Sequence, residues 1–383
     1  MHIGFLTSEY PHEKNPNRIG GIGTSIKNLV SELIRQGNKV SIFLYGQSED
    51  IVYQEGNLSV VFIKNTKAKF FNWWFLRKKL EKVINQHVEE AQLDVIEAAD
   101  WSGITAFMNI KCKVVVRLHG SDTYFCHLEN RKQKQKNYIL EKQALKSANA
   151  VVSVSAYTAT VTKKLFDLNR NIKVIHNGLD LDVFNMTHSE KNSNEVLYFG
   201  TLNRKKGVLE IPYIVKELRK INKDFKIVLI GNDSNDPQTG RSTWSMIQEL
   251  STEGILDYIE YRGPVAYSDM RDAILKSSLC IFPSYAEAFP VSWMEAMACS
   301  KPIVTSDIGW AKELIEDEKN GLLSPPDDYV LYAQQINRIL TDSTLAEHLS
   351  LGARERIEKF FSSQVIAEQN IAYYENVIKG IYQ

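Results

Sequence analysis

Short apolar runs alternate with stretches of three- and four-residue hydrophobic spacing from one end of the chain to the other. HIGFLT, KVSIFLY, VVVRLHG, AVVSVS and KVIHNG read as strands in the first half. After the first of them, Ile26, Leu29, Val30, Leu33 and Ile34 share one face of a helix over residues 25–36, with Thr24 or Ser25 as cap and Gly37 as stop. The strands at 114–118 and 150–154, apart from Arg117 and Ser153, run apolar rather than alternating, as in a parallel sheet covered by helices on both faces. The predicted class is α/β, doubly wound.

Residues 185–194, NMTHSEKNSN, are the most polar and least periodic stretch in mid-chain, and a fresh strand, EVLYFG, follows at once. The alternation then repeats through FKIVLIG, YIEYRG, LCIF, PIVT and GLLSP, and the pattern beyond Asp327 is helical. Two Rossmann-like domains are expected, residues 1–185 and 186–361, with a last helix over about 362–383 crossing back to the first.

A chain of 383 residues exceeds one ordinary core, which agrees with two domains. Its 46 Lys+Arg balance 46 Asp+Glu, so no nucleic-acid partner is expected. Cys112, Cys126, Cys280 and Cys299 fit no metal-ligand spacing and sit mostly in apolar surroundings, which points to reduced thiols and a cytoplasmic setting. No run reaches the roughly 18 apolar residues of a membrane span, and polar groups interrupt the first residues too early for a signal peptide.

The segment from Pro283 to Ser306 carries the strongest chemistry. A strand ends in a Pro/Ser loop with Glu287, and Pro290 is suited to open the helix that contains Glu295. That helix is otherwise nearly all apolar, so Glu295 needs a partner: a hydroxyl-rich ligand such as a ribose, an Arg, or backbone donors. The open amides near Val291 and Ser292 suit a diphosphate. A second constellation, YFGTLNRKKG (198–207), sets Arg204, Lys205 and Lys206 at a strand's carboxyl end, where open α/β sheets bind ligands and cations can neutralise a leaving diphosphate. Third, VVVRLHGSD (114–122) delivers His119 from the end of a buried strand, with Asp122 just after it to orient the ring or meet an acceptor hydroxyl. Fourth, Gly21 and Gly23 in RIGGIGTS (18–25) leave room for a phosphate near a helix start, although the loop is neither a dinucleotide fingerprint nor a Walker motif.

Taken in order, GGIG, HGSD, HNGLDLDVF, FGTLNRKKG, RGPV (262–265), Glu287-Ala-Phe followed after seven intervening residues by Glu295, KPIVTS and NGLL resemble the retaining family 4 glycosyltransferases of the GT-B fold over nearly the whole chain. The resemblance implies two Rossmann-like domains facing a central cleft, a nucleotide sugar bound mainly to the second and an acceptor to the first. It assigns Glu287 and His119 to the donor sugar, Glu295 to the ribose, and Arg204 and Lys206 to the diphosphate. Ala288 and Phe289 join the donor site, and Gly263 and Pro264 lie near the base. Asp122 and Trp101 are the acceptor-side candidates. The implied reaction moves a hexose from a nucleoside diphosphate sugar, UDP-glucose or similar, to a glycan or lipid-linked glycan in polysaccharide biosynthesis. It retains anomeric configuration through a front-face route and needs neither metal nor other cofactor. Asp180-Leu-Asp182, which is similar to the metal motif of the other glycosyltransferase fold, follows an Asn-Gly turn and is not read as a metal site.

Two departures stand out: Thr201 where the family commonly has Arg, and Pro290 where glycine is usual. Two rival readings stay open, a nucleotide-sugar epimerase of the same fold and a non-catalytic sugar-nucleotide-binding module. Residues 67–82, KAKFFNWWFLRKKLEK, mix five aromatics with six cations, which suits either a peripheral membrane surface or packing within the first domain.

Overall fold

The computed structural model describes residues 1–14, 20–67, 69–184 and 194–382. The chain divides into two compact units, Met1–Leu179 with Ser363–Gln383, and Asp180–Ser362. Of the polar stretch at 185–194, only Asn194 lies within the described residues, and Arg18 and Ile19 of the glycine motif lie outside them.

The first unit is built on eight strands: β1 (His2–Thr7), β2 (Lys39–Gln47), β3 (Ile51–Glu55), β4 (Leu58–Lys64), β5 (Val95–Ala99), β6 (Lys113–Leu118), β7 (Ala150–Ser153) and β8 (Lys173–Val174). They lie in the order β3-β4-β2-β1-β5-β6-β7-β8. All neighbours are parallel except β3 and β4, an edge hairpin. That hairpin was not anticipated; Gln54-Glu-Gly-Asn57 supplies its turn, and β3 is mostly exposed. Successive residues of the central strands enter different clusters: Ile42 and Val95 pack on one face, Phe43 and Ile96 on the other. Burial on both faces explains why these strands read as unbroken apolar runs.

The first helix runs Gly21–Arg35, four residues earlier than the periodicity suggested. Gly20, in an extended conformation, is its N-cap, and the hydroxyls of Thr24 and Ser25 are used otherwise: Thr24 Oγ1 donates to Gly20 O at 3.1 Å and Ser25 Oγ to Asn177 Oδ1 at 2.8 Å. The last helix, Ser363–Ile378, belongs to the first unit. Its buried Tyr374 donates to Glu97 Oε2 at 2.8 Å, and Glu97 also takes Arg117 Nε at 2.7 Å. Arg117 reaches Asn370 on the same helix. A buried ion pair is thus fully hydrogen-bonded by a segment far away in sequence, which offsets its desolvation.

The second unit holds β9 (Glu195–Phe199), β10 (Lys226–Ile230), β11 (Ile259–Gly263), β12 (Leu279–Phe282), β13 (Ile303–Ser306) and β14 (Leu322–Ser324), all parallel, in the order β11-β10-β9-β12-β13-β14. Counted within the unit this is 3-2-1-4-5-6, the doubly wound order whose ligand crevice opens where the winding reverses. That point lies between β9 and β12.

Candidate active site

The two loops that leave β9 and β12 are the two that the sequence marks for donor chemistry. They are fastened backbone to backbone: the amides of Tyr285 and Ala286 donate to Lys205 O at 2.8 and 3.1 Å. Gly207, at φ +67, lets them close up, since a Cβ there would stand 1.8 Å from Pro283 O. Asn203 caps the short turn Arg204–Lys206 through its side chain, which fixes where the three cations point. Lys206 Nζ donates to Glu287 Oε1 at 2.6 Å, and both side chains are largely shielded from solvent. Ser284 Oγ lies 3.4 Å from the same oxygen. A cation and a carboxylate from opposite sides of the switch point therefore meet, one able to face phosphate and the other sugar hydroxyls.

Arg204 goes elsewhere. Its Nε and Nη2 donate to Asp236 at 2.9 and 3.0 Å in a two-pronged pair. The Asp236 side chain is fully buried, and the pairing holds its carboxyl below the ordinary range. Arg204's charge is thus already matched, and Lys206 is the cation that meets Glu287. Thr201, at the family's usual Arg position, is exposed.

Glu295 sits in the helix Val291–Ala298, whose residues are buried apart from Ser292. Burial pushes its carboxyl up to about 7, while a hydrogen bond from Tyr267 and the charge of Lys206 oppose the rise. Tyr267 Oη donates to Glu295 Oε1 at 2.8 Å. Sequence reasoning missed this partner because it arrives from a different helix, Tyr267–Lys276. Pro290 is the helix N-cap and supplies no side-chain cap. Ala288 and Phe289 are buried, the latter against Phe361 with ring centroids 5.6 Å apart. Gly200, Gly231 and Gly263 form a row at the ends of β9, β10 and β11: Gly200 N donates to Ile230 O at 2.9 Å and Gly231 N to Gly263 O at 3.0 Å. A Cβ on Gly231 would stand 2.0 Å from Gly200 O, whereas one on Gly263 would meet open space. Pro264 follows and is exposed.

The remaining candidates lie in the first unit. His119 ends β6 and is buried beside a cavity of about 10 Å³ that Ser25, Arg117 and Asn177 also line. Burial, reinforced by Arg117, lowers its pKa to about 3, which favours the neutral imidazole near pH 7. Its amide donates to Asp100 Oδ1 at 3.0 Å, and burial lifts Asp100 to about 8. Gly21 and Gly23 sit inside the first helical turn instead of in a loop before it. Gly21 faces open space, but Gly23 packs against Glu9, whose carboxyl takes the Gly23 amide and is raised by burial. One of the amides expected to meet phosphate is therefore occupied by a carboxyl group. Asp122 and Trp101 line one cavity of about 280 Å³. Asp182 N donates to Asp180 Oδ1 at 3.0 Å, a local turn, and no group of three or more His, Cys, Asp or Glu side chains among the described residues could hold a metal ion.

Two doubly wound units, with a cation–carboxylate pair at the switch point of the second, match the architecture of the GT-B fold. The chain belongs to glycosyltransferase family 4: the model described as Glycosyltransferase Family 4 matches residues 19–183, and that of Glycosyl transferases group 1 matches residues 183–356. It is 23% identical to an uncharacterized glycosyltransferase of Methanocaldococcus jannaschii over 98% of both chains. It is 26% identical to the alpha-maltose-1-phosphate synthase of Mycolicibacterium smegmatis, over 62% of this chain and 66% of that one. Among solved structures it resembles sucrose-phosphate synthase from Thermosynechococcus elongatus, with TM-score 0.78, 20% identity and 99% of both chains covered. It also resembles Anabaena HepE in complex with UDP-glucose, with TM-score 0.73 and 20% identity, covering 98% of this chain and all of that one.

Proposed function

We propose that the protein is a retaining hexosyltransferase that moves a hexose from a UDP-sugar to a glycan or lipid-linked glycan in polysaccharide biosynthesis. The observation that carries this reading is the Lys206–Glu287 pair, held at 2.6 Å by two loops that flank the switch point. In this reading Lys206 meets the charge that develops on the leaving diphosphate and Glu287 meets sugar hydroxyls, which stabilises the leaving group. Glu295 and Tyr267 offer an acceptor and a donor to the ribose. With Lys206 and the uncapped helix start at Val291 to carry the charge, transfer requires no metal. Retention follows from a front-face route in which the leaving oxygen accepts the acceptor's proton. A UDP preference is supported by HepE, solved with UDP-glucose, and a role in polysaccharide synthesis by a 23% identical capsular polysaccharide glycosyltransferase of Staphylococcus aureus.

We place the enzyme in the cytoplasm, at a membrane surface. No helix among the described residues is long and apolar enough to cross a membrane. Around the start of the helix Asn72–Ala91 the aromatics divide: Trp73 packs on Ala106, Leu140 and Ala144, while Phe70, Phe71 and Phe75 are 70%, 69% and 52% exposed, with Lys69 over Phe70 and Lys78 over Trp74. Aromatic rings among lysines suit an anionic bilayer surface.

A thermal-shift panel of UDP, GDP, ADP and their sugars tests the donor. UDP and UDP-glucose should raise the melting temperature, because a ligand that binds only the folded state stabilises it by mass action. A shift with GDP or ADP alone would reject the UDP reading. Tight binding without any turnover would favour a binding module, and interconversion of the free nucleotide sugar an epimerase.

A further inference from the structure

The cavity of about 280 Å³ in the first unit has a lining that its two sequence-marked residues do not explain. Trp101 follows β5 and Asp122 follows β6, so it opens at the carboxyl ends of adjacent parallel strands, where α/β sheets place ligands. Trp101 is 43% exposed, a large apolar ring standing at a cavity wall. It is mounted rigidly. Arg77 Nη2 donates to Ser102 O and Gly103 O at 3.1 and 2.8 Å, and Gly103, at φ +54, lets this turn lie on the helix Gln135–Ser147, where a Cβ would stand 2.3 Å from Leu140 O. Asp122 is also held, by Asn137 Nδ2 at 2.8 Å.

Beside the neutral Ser102, Cys126 and Asn137, the lining carries three cations: Arg131, Lys132 and Lys134. Glu129 pairs with Arg131 at 2.9 Å. Lys132 and Lys134 are exposed and enter no ion pair among the described residues. Two unmatched ammonium groups beside a fixed carboxylate and a flat aromatic wall form a lopsided set. The ring covers the C–H face of a sugar, the carboxylate accepts from a sugar hydroxyl, and the lysines are left for an anion. Compact ammonium groups bind phosphate as point charges.

Resting on the transferase reading above, we infer that this cavity binds the acceptor, and that the acceptor sugar carries a phosphate group next to the face that Trp101 covers. The volume lies near the lower end of the roughly 300–1,000 Å³ of small-ligand sites, so it houses one phosphorylated sugar unit and leaves the rest of a glycan outside. The same phosphate chemistry is available from a lipid headgroup, and the experiment separates the two sources.

Binding of glucose 6-phosphate, glucose and inorganic phosphate is measured by calorimetry on the full chain, on K132Q/K134Q and on Trp101→Ala. Vesicles of phosphatidylglycerol are assayed with the same proteins. The expected result is that the sugar phosphate binds at least tenfold more tightly than glucose or phosphate alone. That advantage is lost in K132Q/K134Q and reduced in Trp101→Ala. Equal binding of glucose, or an unchanged affinity in K132Q/K134Q, overturns the inference. So does a lysine-dependent affinity for vesicles with none for the sugar phosphate, which assigns these lysines to a membrane. UDP binding to the unmodified protein, measured alongside, reports on the donor site alone, so the two readings fail separately.

Discussion

At the residue scale, the proposed donor site includes a carboxyl group whose charge is finely balanced. Glu295 titrates near 7 in the ligand-free protein, because burial favours the neutral form more than Tyr267 and Lys206 oppose it. A ribose hydroxyl donates best to the ionised form, so binding lowers this pKa. Affinity for UDP must then climb as pH rises towards about 7 and level off above it, the window in which free protein still holds the proton. In Glu295→Gln, which cannot ionise, that part of the pH dependence should vanish; an identical profile in wild type and variant would remove Glu295 from the ribose. Gly207 is decisive in a different way. Its left-handed φ and the 1.8 Å approach to Pro283 O leave no space for a side chain. Gly207→Ala should destabilise the second unit by about 3 kcal/mol and separate Lys206 from Glu287, read as an earlier urea midpoint together with weaker UDP binding. A midpoint within error of wild type would mean the loops tolerate separation.

The elements were legible where hydrophobic period and punctuation agreed. The helix Val291–Ala298 begins where Pro290 announced it, and the apolar runs became central parallel strands. Legibility failed where a local signal was captured by tertiary structure. Thr24 and Ser25 look like caps, but the helix starts at Gly21 with Gly20 as its N-cap, and Glu9 takes the Gly23 amide while Ser25 turns to Asn177. The helix Asn72–Ala91 shows the same limit, since composition alone could not divide its aromatics between core and surface. Their exposure now separates them. Replacing Phe70, Phe71 and Phe75 by Ser should lower co-sedimentation with anionic vesicles severalfold while leaving the melting temperature within about 1 °C, because exposed changes alter stability little. Unchanged co-sedimentation would withdraw the membrane surface.

At the scale of the whole molecule, the two halves differ in how openly they declare their chemistry. The second unit's candidate residues sit in two contiguous motifs that leave strands on either side of one switch point, which makes them visible in the sequence. What stayed hidden were residues with no motif: Asp236, which takes Arg204, and Tyr267, which reaches Glu295. On the first unit, Asp122 and Trp101 were named, but Lys132 and Lys134 lie in a polar stretch without period, and only folding sets them on one cavity. Glu97 and Arg117 stand inside buried strands, and their partners Tyr374 and Asn370 come from the distant helix Ser363–Ile378.

The central claim is that Lys206 and Glu287 together serve an activated sugar. Its most direct test is the rate at which UDP is released from UDP-glucose by wild type, Lys206→Ala and Glu287→Ala, with folding checked by circular dichroism. Removing an electrostatic contact made mainly in the transition state costs roughly 100- to 1,000-fold. The account therefore predicts slow release by the wild type and a loss of about that size in each variant. Equal release by all three folded proteins would contradict it.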